Sequence, residues 1–177
     1  MTAEPAHDAP AESKPIAITK GTRVLVFGDS MVTTGLGVVL KEHVVARGGT
    51  LVLISKPSST TASWRKGNDL DDLLAKVKPD VVVVVLASNE LFIPNPQMRI
   101  GDVKTIVSRI GTRPCVWVGP PPWRPDKGMV GVVRDNAAPC RYFESAELTL
   151  ERQSDGIHPT LRGGRAWGEA VWRASFE

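Results

Sequence analysis

The stretch Asp80-Val81-Val82-Val83-Val84-Val85-Leu86 decides how this chain folds. Five valines in a row leave no polar positions for a wet face, so a strand built from them must be covered on both sides. That requirement points to a parallel sheet sandwiched between helices. The sequence on either side agrees with it. Upstream, Leu70 to Lys78 (LDDLLAKVK) repeats at helical spacing, and TLVLI at 50–54 is a short apolar strand. Before these, Leu36, Val39, Leu40, His43, Val44 and Arg47 recur at helical spacing until Gly48 and Gly49 end the segment. RVLVF at 23–27 is a buried strand stopped by Gly28. Downstream, helices near 101–110, 126–137 and 162–174 alternate with strands at 115–119 and 140–143.

Strict alternation of strand and helix predicts a three-layer α/β/α sandwich around a five-stranded parallel sheet, flavodoxin-like in plan. No internal repeat of 20 to 50 residues suggests a solenoid. The length of 177 residues and 42% hydrophobic content suit one ordinary domain, expected over 21–177. Residues 1–20, rich in Ala, Pro and Glu, are expected to form a flexible tail. Such a tail fits the start of a cytoplasmic protein and equally the spacer left behind a trimmed secretion signal.

Composition narrows the function. Lys and Arg number 22 against 19 Asp and Glu, a formal charge of +3, and the basic residues are scattered rather than striped. Nucleic acid is therefore not an expected partner. No segment is long and apolar enough to span a bilayer. The two cysteines, Cys115 and Cys140, lack metal-ligand spacing and lie at the starts of two expected strands. If those strands are neighbours, the sulfurs begin at one level and can pair; two buried thiols are the other reading.

In a parallel sheet the reactive groups collect beyond the carboxyl ends of the strands. Those positions hold Gly28-Asp29-Ser30, Ser58-Ser59-Thr60, Ala87-Ser88-Asn89-Glu90 and the later loop Ser154-Asp155-Gly156-Ile157-His158-Pro159. A serine hydroxyl needs a base to become a nucleophile, and His158 suits that task. Asp155, three residues earlier, is near enough to hold the imidazole in one tautomer. Pro159 steers His158 away from helical backbone angles, so its ring is offered from a loop. The Asn89 amide and the Ser30 N–H are candidate donors to an oxyanion. Asp29 is expected to order its turn rather than to act in chemistry.

The set VLVFGDS at 24–30, LASNE at 86–90 and SDGIHPT at 154–160 closely resembles the SGNH hydrolase superfamily, the GDSL esterases and lipases. The resemblance implies a serine, aspartate and histidine triad carried by Ser30, Asp155 and His158, with Asn89 in the oxyanion hole. It also implies an esterase or O-deacetylase activity on a small-molecule or carbohydrate ester, with no cofactor and no metal. Two departures stand out. The family's glycine after the second strand, whose N–H completes the oxyanion hole, has no counterpart in SKPSSTTASW at 55–64, where Ser58 is the best match and Ser59 the next. Ala87-Ser88-Asn89-Glu90 also replaces the commoner Gly-x-Asn-Asp, leaving the amide in place. The missing glycine leaves room for an alternative: a non-catalytic carbohydrate- or protein-binding module on the same scaffold.

Among the tryptophans, Trp117 falls within a strand, and Trp167 and Trp172 fall on a helix's apolar face. Trp64 and Trp123, on loops at the reactive edge, are the candidates for substrate contact. The proline-rich segment GPPPWRPDKG at 119–128 is read as a stiff wall of that cleft rather than a polyproline ligand for a partner, with Arg124 and Lys127 either drawing an acidic or phosphate-bearing substrate or simply solvated. His43 is expected to be a half-packed helix residue.

Overall fold

The structure is a computed structural model that describes residues 14–177. Five strands, β1 (Arg23–Gly28), β2 (Thr50–Ser55), β3 (Val81–Val85), β4 (Cys115–Val118) and β5 (Arg141–Phe143), form one sheet in the order β2-β1-β3-β4-β5. All neighbouring pairs run parallel. This is the flavodoxin-like order, which reverses between β1 and β3 and so opens a crevice beyond their carboxyl ends.

The five valines divide as strand geometry requires. Val82 and Val84 enter one core with Leu25, Phe27 and Trp117, whereas Val81, Val83 and Val85 enter the other with Val24, Val26 and Val116. The first core is roofed by α2 (Thr61–Arg65), α3 (Asp69–Val77), α4 (Ile100–Ile110) and α5 (Met129–Asn136), which supply Trp64, Leu74, Ile106 and Val133 among others. The second is covered by α1 (Leu36–Ala46) and α6 (Leu161–Phe176). Helices therefore cover both faces, and all five valines are 3% exposed or less.

The sequence reading places Trp64 on a loop and so misses α2. Its signal is a capping box: Thr60 Oγ accepts from the Ser63 N–H at 3.1 Å, and Ser63 Oγ accepts from the Thr60 N–H at 2.8 Å. The tail expectation also needs correcting. Residues 1–13 lie outside the described residues, but 14–20 are part of the body. Ile16 N–H donates to Ser175 O at 2.9 Å, Arg141 donates to Lys14 O at 2.6 Å, and Ile18 is buried. An isoleucine at each of positions 16 and 18 provides the apolar area that the residues before them lack.

Cys115 and Cys140 are joined in a disulfide between the starts of β4 and β5, resolving the alternative in favour of pairing. His43 is half-buried, stacked on Trp172 with ring centroids 4.6 Å apart and bonded to Glu169 at 2.9 Å. Among the described residues no helix is long and apolar enough to cross a membrane.

Candidate active site

Strand β1 delivers the first group. Gly28 must be glycine, because a Cβ there would lie 1.8 Å from Val85 O on β3. That close approach lets the Asp29 N–H donate to Val85 O at 3.1 Å, so the chain leaves the sheet in a fixed direction. Asp29 is buried, and its Oδ1 accepts from the Met31 N–H at 2.9 Å, capping a short 3-10 turn over Ser30–Thr33. Ser30 thus begins a turn whose bend is set from beneath, as expected of Asp29. Burial pushes the Asp29 carboxyl up to about 7, against the pull of the Met31 and Ser88 N–H groups.

The loop before α6 delivers the second group. The Ile157 and His158 N–H groups both donate to Asp155 Oδ1, at 2.8 and 3.0 Å, and Gly156 turns the chain with φ +69°. Asp155 Oδ2 is left facing His158 Nδ1 at 2.7 Å, and His158 Nε2 lies 2.9 Å from Ser30 Oγ. Hydrogen bonding from His158 and from the two backbone N–H groups holds the Asp155 carboxyl down to about 2. An ionised carboxylate on Nδ1 selects the tautomer with its proton there, leaving Nε2 to accept from the serine. Ser30, Asp155 and His158 are thereby brought into one relay, 128 residues of sequence separating its ends.

The third and fourth groups, Ser58 and Asn89, line the same cleft as Ser30 and His158. Ser58 adopts φ +61°, the left-handed conformation that favours glycine, and it lines the cleft where Ser59 does not. Asn89 Nδ2 donates to Ser59 O at 3.0 Å, which uses one of its two amide protons. Among the described residues, the backbone N–H groups of Ser30 and Ser58 meet no backbone acceptor beyond helix and strand pairing. Next to Asn89, the buried Glu90 accepts from the Thr61 N–H at 2.8 Å and from Thr61 Oγ at 2.9 Å, and contacts Arg99 at 2.8 Å. Burial raises its pKa, opposed by Thr61 and Arg99. Adjacent side chains on one turn therefore hold the segment Ser59–Thr61 that directly follows Ser58.

These groups open on a cleft of about 420 Å³, with Ser30, Ser58, Asn89, Phe92, Trp123 and His158 in its walls. Trp123 lies at the cleft as expected, its Nε1–H donating to Ser88 O at 3.0 Å. Trp64 does not reach substrate. It is 1% exposed within α2, packed on Phe27 with centroids 4.7 Å apart, and its Nε1–H donates to Ser59 Oγ at 2.9 Å. The helix that sequence reading missed turns this indole inward, where it supports the loop from behind. Two contributors went unforeseen, Phe92 and Arg152. The Arg152 guanidinium bonds Ile157 O and donates to Pro121 O and Pro122 O at 3.3 and 3.0 Å, tying the histidine loop to the proline-rich one. Nothing in the sequence around Arg152 marks this role. Among the described residues no cluster of metal-ligating side chains occurs.

No protein-family model matches the chain. Protein BcsX of Komagataeibacter xylinus is 26% identical over 206 residues, spanning 90% of this chain and 79% of that protein. A lipase/acylhydrolase from Enterococcus faecalis superposes with a TM-score of 0.69 at 20% identity, covering 86% of this chain and 94% of that one. A lipase from a goat rumen metagenome gives 0.72 at 15% identity, over 88% and 98%. An acetyl xylan esterase from Geobacillus stearothermophilus gives 0.69 at 17% identity, over 89% and 95%. The chain has the fold of the SGNH hydrolases.

Proposed function

We propose that the protein is a serine hydrolase of carboxylic esters working through an acyl-enzyme on Ser30. The observation that carries this reading is the unbroken line of hydrogen bonds from Ser30 Oγ through His158 to Asp155 at 2.9 and 2.7 Å, open to a cleft. In the first stage Ser30 Oγ attacks the ester carbonyl while His158 Nε2 takes its proton. The negative oxygen of the tetrahedral intermediate is met by the second Asn89 amide proton and the N–H groups of Ser30 and Ser58. Collapse expels the alcohol, which takes the proton from His158. Water then attacks the acyl-enzyme, giving its proton to His158, and the acid leaves as that proton returns to Ser30 Oγ. Asp155 stays ionised throughout and balances the imidazolium.

A cleft of only about 420 Å³ favours a short acyl group, acetyl first, on a sugar or other accessible alcohol. The fold likeness to an acetyl xylan esterase supports that choice. Hydrolysis of p-nitrophenyl acetate, with labelling of Ser30 by a fluorophosphonate, tests the reading. Ser30→Ala should abolish both while the circular dichroism spectrum is unchanged. A wild-type protein that neither turns over esters nor takes the label is a binding module on a hydrolase scaffold.

A further inference from the structure

One charged side chain in the cleft has no part in the hydrolytic steps. Arg124, in the proline-rich loop, lines the same cleft as Ser30 and His158. Its guanidinium carbon is 4.5 Å from the centroid of Phe92 and 5.2 Å from that of Trp123. Stacking between two aromatic rings orders a guanidinium while leaving its edge N–H groups available, which is how arginine presents a fork to a carboxylate or phosphate. Trp123 is itself pinned through Ser88 O, so the platform is rigid.

Asp126, Asp155 and Glu90, on this loop and on the other segments that form the cleft, have partners other than Arg124. Asp126 accepts from the Met129 and Val130 N–H groups at 2.8 and 3.3 Å, capping α5. Asp155 is bonded to His158, and Glu90 is buried against Thr61 and Arg99. No ion pair forms to Arg124 among the described residues. A cation ordered in the nucleophile's cleft, with no salt bridge to a protein carboxylate among the described residues, is placed to meet an anion on the substrate.

We propose that Arg124 determines specificity: the ester turned over in this cleft carries an anionic group, carboxylate or phosphate, that pairs with the Arg124 guanidinium while its carbonyl lies at Ser30. This rests on the ester hydrolase reading and narrows its substrate class.

The test uses matched esters differing only in charge. On the alcohol side they are p-acetoxybenzoate, its neutral counterpart p-acetoxybenzamide, and p-acetoxyphenyl phosphate. On the acyl side they are the p-nitrophenyl half-ester of adipic acid and the corresponding adipamate. For each pair, the anionic-to-neutral ratio of kcat/KM is measured for the wild type and for Arg124→Gln. Comparing the two ratios cancels the intrinsic reactivity of each probe. For at least one pair the ratio should fall by roughly tenfold in Arg124→Gln, mainly through KM, and fall further in Arg124→Glu. Added salt should lower the wild-type ratio, and Lys127→Gln, on the same loop but outside the cleft lining, should keep it. The responding pair identifies which side of the ester bears the charge, and the phosphate probe separates it from carboxylate. Identical ratios in wild type and Arg124→Gln for every pair overturn the proposal while leaving the hydrolase reading standing. Absence of hydrolysis of any ester by the wild type removes both.

Discussion

The loss of a glycine after the second strand looks, on paper, like the loss of an oxyanion donor. At the level of the residue the backbone is kept, because Ser58 takes up the left-handed conformation that a glycine would, at φ +61°. A non-glycine residue there costs about 1 kcal/mol. That cost is offset by the bonds fastening the loop, Asn89 to Ser59 O and Glu90 to Thr61. In the proposed mechanism Asn89 has two tasks, one amide proton holding the loop and the other turned to the substrate. Asn89→Ala should lower kcat roughly a hundredfold with a smaller change in KM, as steady-state kinetics on p-nitrophenyl acetate will show.

Asp29 allows a second prediction at this scale. An unfolded aspartate releases its proton near 3.8, whereas burial holds this one until about 7. Between those values the folded state binds more protons than the unfolded, so this group's contribution to stability declines as pH rises through that window. Asp29→Asn, which keeps an acceptor for the Met31 N–H, should remove the decline. Denaturant midpoints of the two proteins should therefore diverge between pH 4 and pH 7, in favour of the variant. Parallel curves would show that Asp29 holds no extra proton.

Among the elements, α6 bears the histidine loop, and its packing depends on the absence of side chains. A Cβ on Gly164 would lie 1.2 Å from Thr34 O, and one on Gly168 would lie 2.8 Å from Val39 Cβ on α1. These glycines let α6 approach the turn after Ser30 closely enough for His158 to reach the serine. Gly164→Ala should destabilise the fold by about 3 kcal/mol or more through overpacking, and the survivors should lose turnover because α6 has moved. Thermal melting and single-turnover kinetics will measure the two effects separately. The elements themselves are largely legible: an apolar run for each of the first four strands, helical spacing for the helices at 36–47 and 70–78, and motif residues just beyond the strands. What escaped was short or long-range. The five residues of α2 are too few to show a period, so Trp64 was assigned to the cleft instead of the core. Arg152 acts on carbonyls about 30 residues away, and no local pattern encodes that reach.

For the molecule as a whole, the sheet order was predictable only as a type. The valine strand announces a sheet covered on both faces, but which strands neighbour one another depends on helices packing across the chain. The disulfide illustrates the point, since the pairing of Cys115 with Cys140 became decidable only once β4 and β5 were neighbours. It closes a span of 25 residues that includes the proline-rich wall and α5. Restricting the unfolded chain over such a span is worth about 3 kcal/mol. Cys115→Ser with Cys140→Ser should lower the guanidinium midpoint by a corresponding amount, and reductant should lower the wild-type midpoint but not the variant's. The bond also suits an oxidising compartment.

The residues that lead into the body have a practical consequence. Lys14 and Ile16 are moored to Arg141 and Ser175, at the amino end of β5 and the last turn of α6. The serine, in contrast, lies beyond the carboxyl end of β1, on the opposite rim of the sheet. The protein coupled to a bead or a chip through a linker ahead of residue 14 would be tethered by its back, leaving the cleft facing the bulk liquid.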